Sequence, residues 1–175
     1  MDEKYKNLLS SGVNNRVIAL SETEVAKIFE GETRSFINSE AEKMRYANNI
    51  NSLVCKFHRL GYDEENKWDM LIMERIHAFE FRSFEIGKRE ILFETFEGYL
   101  KELHQKGFVH RDLHRPSSDP LGEKYDNILL TTEGLRLIDV GISAIKNEID
   151  EAVFYNYVKA ELKELAKFKQ YFLTR

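Results

Sequence analysis

The sequence predicts an α+β chain, with a small antiparallel β-rich half followed by a mainly helical half. Apolar patches that alternate with polar residues crowd the first 75 positions, the mark of strands. Apolar residues spaced by three and four dominate 35–49, 88–106 and 148–172, the mark of helices with one buried face. A short hairpin pattern at 128–138 interrupts the helical half. The 175 residues suit one compact unit, 1–175, divided at a hinge near Glu74–Phe84 into parts of about 1–74 and about 75–175.

In chain order, Val17-Ile18-Ala19-Leu20 and Val25-Ala26-Lys27-Ile28-Phe29 flank the turn-like Ser21-Glu22-Thr23 and predict a hairpin. Phe36, Ile37, Ala41, Met44 and Ala47 make the apolar face of the first helix. Strands are expected near 53–60 and 68–75, the second carrying Met70-Leu71-Ile72-Met73. Ile91, Leu92, Phe96, Tyr99, Leu100 and Leu103 repeat along the second helix, and Gly107 stands where its C-terminus should be. Ile128–Thr131 and Leu135–Ile138 flank Thr132-Glu133-Gly134, a hairpin with glycine at its turn. The last helix carries Ile149, Val153, Tyr157, Leu162, Leu165, Phe168 and Phe172, with Asn147 as the expected N-cap. Between His114 and Asp126 lies a loop that holds both prolines of the chain.

Composition narrows the function classes. A net charge of −4 argues against non-specific nucleic-acid binding, which needs a basic face, and leaves a local basic patch open. Cys55 has no partner, so neither an intrachain disulfide nor a cysteine zinc site is expected. No window approaches the roughly 20 apolar residues of a membrane span, and the charged start Met1-Asp2-Glu3-Lys4 does not read as a secretory signal. The expected location is the cytoplasm, with delivery of a secreted effector to a host cytosol left open.

Three motifs carry chemistry. His110-Arg111-Asp112-Leu113 follows the helix that ends at Leu103-His104-Gln105-Lys106-Gly107; Asn127-Ile128-Leu129-Leu130 and Ile138-Asp139-Val140-Gly141 come after it. In this order and context the chain resembles the protein-kinase superfamily. The resemblance covers about residues 8–145 and implies a protein-kinase-like two-lobed fold, ATP as nucleotide and Mg²⁺ as metal. The hairpin itself makes the metal reading sensible: Asn127 precedes its first strand and Asp139 ends its second, so an amide oxygen and a carboxylate converge. Such hard oxygen donors, few in number, suit Mg²⁺ beside substrate phosphates. The resemblance implies that Asn127 and Asp139 hold Mg²⁺ and that Asp112 accepts or orients the proton of the acceptor hydroxyl.

In the first half, Val25-Ala26-Lys27 resembles the strand that carries the phosphate-binding lysine. Glu42, on the following helix, is the expected partner of Lys27, with Glu40 the rival on another helix face. Gly12 belongs to the phosphate-covering loop. Met73 and Glu74 take the gatekeeper and hinge places, with Ile76 beside them, and Val17, Val25 and Leu129 sandwich the adenine.

The pattern also departs from the family. Ser10–Val17 keeps one glycine, the stretch between Asp112 and Asn127 is longer than usual, Val140 replaces a phenylalanine, and the chain ends soon after Gly141. The truncated ending resembles RIO-like kinases, the kinase of the tRNA-threonylcarbamoyl complex, lipopolysaccharide-core kinases and minimal bacterial effector kinases. The implied function is transfer of the ATP γ-phosphoryl group to a hydroxyl, foremost serine or threonine of a protein. A nucleotide- or partner-binding module with little turnover and a small-molecule or saccharide kinase remain the alternatives. A protein substrate or regulatory partner is expected in either protein-directed case, and the 114–126 loop is expected to help form that site. Without a long activation segment, Arg111 is expected to pair with Asp150 or Glu151, and Ser143 is the one candidate phosphoacceptor nearby.

Overall fold

Strand patterning in the first half produces one antiparallel sheet of five strands. A computed structural model describes residues 8–11, 15–29, 34–114 and 125–174. β1 (Leu8–Ser11), β2 (Asn15–Ala19), β3 (Glu24–Phe29), β4 (Phe57–Asp63) and β5 (Trp68–Glu74) lie in the order β1-β2-β3-β5-β4. β1 was not anticipated; its Leu8 and Leu9 are exposed, so it lacks the alternation that marks a strand. The β2–β3 turn forms as expected, because the Ser21 hydroxyl accepts the Thr23 and Glu24 N–H groups. At the β4–β5 turn, Asp63 Oδ1 accepts the N–H groups of Glu65 and Asn66.

The helix α1 (Arg34–Asn48) buries Ile37, Glu40, Ala41, Met44 and Ala47 on one face. Residues 53–55 do not extend β4 as expected. They pair with the second half instead: Cys55 N–H donates to Leu137 O at 2.8 Å, and Leu137 N–H donates to Leu53 O at 2.8 Å. Leu53, Val54 and Cys55 are apolar throughout and buried on all sides, so the run could not be separated from β4 by period.

The second half opens with a 3₁₀ turn, Phe81–Ser83, and the helix α2 (Ile86–Gln105). Gly107 ends α2 with φ of 90°, and its N–H donates to His104 O. A Cβ there would stand 3.2 Å from Lys146 Cβ and 3.3 Å from Tyr46 Oη, so both conformation and space require glycine. β6 (Phe108–Val109) pairs antiparallel with β9 (Ala144–Ile145), and β7 (Ile128–Leu130) with β8 (Leu135–Leu137). After a 3₁₀ turn at Lys146–Glu148, α3 runs from Glu151 to Thr174.

The N-cap of α3 is Asp150 and not Asn147, since Asp150 Oδ1 accepts the N–H groups of Ala152 and Val153. Its buried stripe is Phe154, Glu161, Leu165, Phe168 and Phe172. Val153 and Leu162, expected inside, are exposed. The displacement arises because the stripe contains a glutamate, which apolar periodicity skips. Phe168 lies 5.4–6.2 Å (centroid to centroid) from Phe172, Phe81, Phe96 and Phe93. This aromatic nest belongs to the same apolar core as Val25, Met44 and Leu71, so one core runs through both halves.

Candidate active site

Lys27 stands in the middle of β3, on the face of the sheet that α1 covers. Its Nζ donates to Glu40 Oε1 at 2.8 Å, to Glu40 Oε2 at 2.9 Å and to Asp139 Oδ1 at 2.9 Å. The partner is therefore Glu40, and the expectation of Glu42 is corrected. Glu42 lies two residues on, about 200° around the helix, and is exposed. Ile37, Glu40, Ala41 and Met44 share the inward face, so the apolar pattern held the answer. Lys27 and Glu40 are each only 4% exposed. Burial by itself lowers the pKa of Lys27, but Glu40 and Asp139 outweigh it and hold the ammonium above its ordinary value. Burial raises the Glu40 carboxyl, with Lys27 pulling the other way and Asp139 adding to the rise.

Asp139 lies two residues beyond the end of β8, next to Ile138, whose N–H donates to Asn127 O at 3.0 Å. Gly141 lies beside Asp139 and Glu40: a Cβ there would make ordinary contacts, 3.5 Å from Asp139 Oδ1 and 3.6 Å from Glu40 Oε2. Asn127 Nδ2 donates to Asp112 O and to Asp112 Oδ2, both at 2.8 Å. That commits the amide nitrogen and leaves the amide oxygen as the atom Asn127 can offer a cation. Arg111 and Asp139 have φ of 71° and 60°, uncommon for such residues and typical of loops held for a purpose.

Lys27, Glu40 and Asp139 thus form one hydrogen-bonded set, in which a single ammonium faces two carboxylates, and Asn127 with Asp112 forms a second, next to the first through the Ile138 N–H to Asn127 O bond. Excess negative charge and oxygen-only donors fit Mg²⁺. Among the described residues no three His, Cys, Asp or Glu side chains form a metal cage by themselves. A cation here would take most of its shell from water and phosphate, which is how Mg²⁺ is ordinarily bound.

The residue that sequence reasoning missed is Glu161. It is 1% exposed and projects from α3 under the 110–113 loop. Oε1 accepts from His110 N–H at 3.3 Å and lies 2.8 Å from His104 Nε2, and Oε2 accepts from Arg111 N–H. The loop is tied further by His110, which is fully buried. Asp112 N–H donates to His110 Nδ1 at 3.3 Å, which assigns the ring proton to Nε2, the donor to Ile138 O at 2.9 Å. A glutamate at an apolar-stripe position was the only signal in the sequence.

Arg111 does not pair with Asp150 or Glu151. Its Nη1 donates to Ile142 O at 2.8 Å and its guanidinium lies 3.8 Å from the Tyr157 ring centroid. Asp150 is occupied as the α3 cap, and Glu151 pairs with Lys146 at 2.6 Å. Ser143 is buried and its hydroxyl donates to His110 O at 3.0 Å, so it is a structural residue of the loop in this state. Val140, in place of an aromatic residue, is 1% exposed and part of the core.

Apart from Gly12, the expected nucleotide residues lie on the five-stranded sheet, just after β5 and on β7. Val25 pairs with Met73 and Val17 with Lys27 across the sheet, so these four share one face. Glu74 and Ile76 follow at the end of β5, and Leu129 lies on β7. A cavity of about 570 Å³ opens beneath the hinge, lined by Phe79, Glu80, Phe81, Arg82, Tyr125 and Leu129 among others. Of the expected nucleotide residues it touches Leu129 alone. Gly12 and most of the 114–126 loop lie outside the described residues. Cys55 is buried, and burial pushes its thiol up to about 12, which leaves no thiolate nucleophile there. Among the described residues no helix is long and apolar enough to cross a membrane. No protein-family model matches this chain, and no curated protein matches it.

Proposed function

We propose that the protein is a Mg²⁺-dependent ATP phosphotransferase of minimal protein-kinase-like build, acting on a serine or threonine hydroxyl of a protein. The observation that carries this reading is a pair of hydrogen-bonded clusters, Lys27 with Glu40 and Asp139, and Asn127 with Asp112, set side by side by the backbone bond from Ile138 N–H to Asn127 O, although their residues come from five separate segments. Lys27, steered by Glu40, binds the α- and β-phosphates. Asp139 and Asn127 hold the metal, which neutralises phosphate charge when bound. Asp112, positioned by Asn127, takes the proton of the acceptor hydroxyl as its oxygen bonds to the γ-phosphorus. The bond from that phosphorus to the β,γ-bridging oxygen breaks, and ADP leaves.

One observation favours a second reading, a nucleotide- or partner-binding module with little turnover. Lys27 Nζ already bonds Asp139 as well as Glu40, so a nucleotide must part Lys27 from Asp139 before either serves it. Transfer from γ-labelled ATP, on the protein itself and on a lysate, separates the two. The enzyme reading expects Mg²⁺-dependent labelling that Asp112→Asn removes. Mg–ATP binding without any labelling favours the module, and a protein that does not bind Mg–ATP refutes both.

A further inference from the structure

Glu74 ends β5 at the hinge, and its side chain does not face solvent freely. Oε2 lies 2.6 Å from Arg136 Nη2 and accepts the Lys56 N–H at 3.0 Å, while Oε1 lies 3.4 Å from Arg136 Nη1. Arg136 belongs to β8, whose next turn bears Asp139. Its Nη2 also reaches Val54 O at 3.4 Å, and its Nε is buried with no partner. Asn48, at the end of the helix that carries Glu40, completes the chain. Its Nδ2 donates to Val54 O at 3.1 Å and to Cys55 O at 3.3 Å, and its Oδ1 accepts the Phe57 N–H at 2.8 Å. One polar network thus joins the end of α1, segment 54–57, the hinge and β8. Burial would raise the Glu74 carboxyl, but the Lys56 N–H and the Arg136 guanidinium outweigh it and hold it below the usual carboxylate range.

We propose that Arg136, through Glu74 and segment 54–57, is a positioning residue that fixes the angle between the two halves and so preorganises the nucleotide site. This rests on the function proposed above. The two halves also meet in the Lys27–Asp139 contact, which a bound nucleotide must open. The Arg136–Glu74 contact stands apart from the reacting groups and can persist through that opening. It is therefore the tie that keeps the hinge backbone in register while the reacting end rearranges. The two partners are not equivalent. Removing Arg136 leaves Glu74 with the Lys56 N–H and access to water. Removing the Glu74 carboxylate strands a largely buried guanidinium that already has one unpaired N–H.

The test uses Arg136→Ala, Arg136→Lys and Glu74→Gln in the full chain, with a non-hydrolysable Mg–ATP analogue as probe. Arg136→Ala should weaken analogue binding about tenfold while kcat at saturating ATP changes about twofold or less, since preorganisation enters binding first. Arg136→Lys should recover part of the binding. Glu74→Gln, which keeps an acceptor for Lys56, should destabilise the protein more than Arg136→Ala. Amide hydrogen exchange in the absence of nucleotide should quicken about tenfold at Cys55 and Lys56 in Arg136→Ala but not within the β3–β5 ladder. Unchanged exchange at those two amides overturns the latch whatever the nucleotide results. Quickened exchange with unchanged analogue binding overturns its role in positioning nucleotide. A wild-type protein that binds no analogue refutes the proposed function and that role together, and the exchange experiment distinguishes this from failure of the latch itself.

Discussion

The two halves hold their functional groups by different means. In the first half Lys27 and Glu40 meet side chain to side chain, charge against charge, on a sheet and a helix that would keep their shape without the pair. In the second half Glu161 holds the 110–113 loop by its backbone, accepting two successive N–H groups of a segment with no regular structure of its own. An ion pair orients groups on an existing frame, whereas a buried carboxylate on backbone amides is part of the frame. Damage to the first should appear mainly in function, and damage to the second in function and stability together.

Lys27→Met offers the strongest way to break that contrast. Transfer should fall about a hundred- to thousandfold, as expected when a preorganised charge on the reacting group is lost. The stability loss should stay well below the roughly 3–5 kcal/mol of a buried carboxylate stranded without its cation. Glu40 can escape that loss by taking up a proton, because its pKa is already raised by burial. Thermal melts of the variant should therefore recover as pH falls; a pH-independent deficit would mean that the pair is part of the frame after all.

Glu161→Gln is the counterpart. It keeps one acceptor oxygen but turns an amide N–H₂ towards a backbone donor, and it should lower unfolding stability by about 3 kcal/mol and lower transfer with it. Retention of full stability would remove the distinction drawn here.

Glu164 sharpens the comparison through pH. Burial, with the charges of Glu161 and Asp112, pushes its carboxyl up to about 7, and its Oε2 is buried with no partner. The folded protein thus holds this proton more tightly than the unfolded chain, so stability is greatest below about pH 4.5 as far as Glu164 is concerned. The contribution is lost as pH rises towards 7. Glu164→Gln should remove that slope and gain on the order of 1 kcal/mol over wild type at pH 8, a modest figure because solvent screens the group. A variant with the wild-type pH slope would show that Glu164 titrates normally.

Ser143→Ala should lose only about 1 kcal/mol, the Oγ–His110 O bond, and phosphatase treatment of the wild type should leave transfer unchanged. A large loss on phosphatase treatment would restore a phosphorylation switch. Glu42→Ala should move neither stability nor transfer beyond about 0.5 kcal/mol, since the side chain is exposed.

By itself the sequence determined the order and kind of the main elements, because helix and strand periods are local properties that a single chain displays. It also determined the motifs around Lys27, Asp112, Asn127 and Asp139, and the convergence of the last two follows from hairpin geometry alone. Tertiary structure decided the rest. The choice of Glu40 over Glu42 lay between the two, since Glu40 shares the apolar face of Ile37, Ala41 and Met44 but only the packing of α1 on the sheet turns that face to Lys27. Segment 53–55 left β4 for β8 because an all-apolar run carries no period to say which neighbour it pairs with. Arg111 turned from the 150–151 carboxylates to Ile142 O and Tyr157 because the cap of α3 had already taken Asp150 and Lys146 had taken Glu151. Glu161 escaped notice for the deepest reason: a buried charge is tolerated only where specific donors meet it, and those donors are backbone groups that no side-chain pattern reveals.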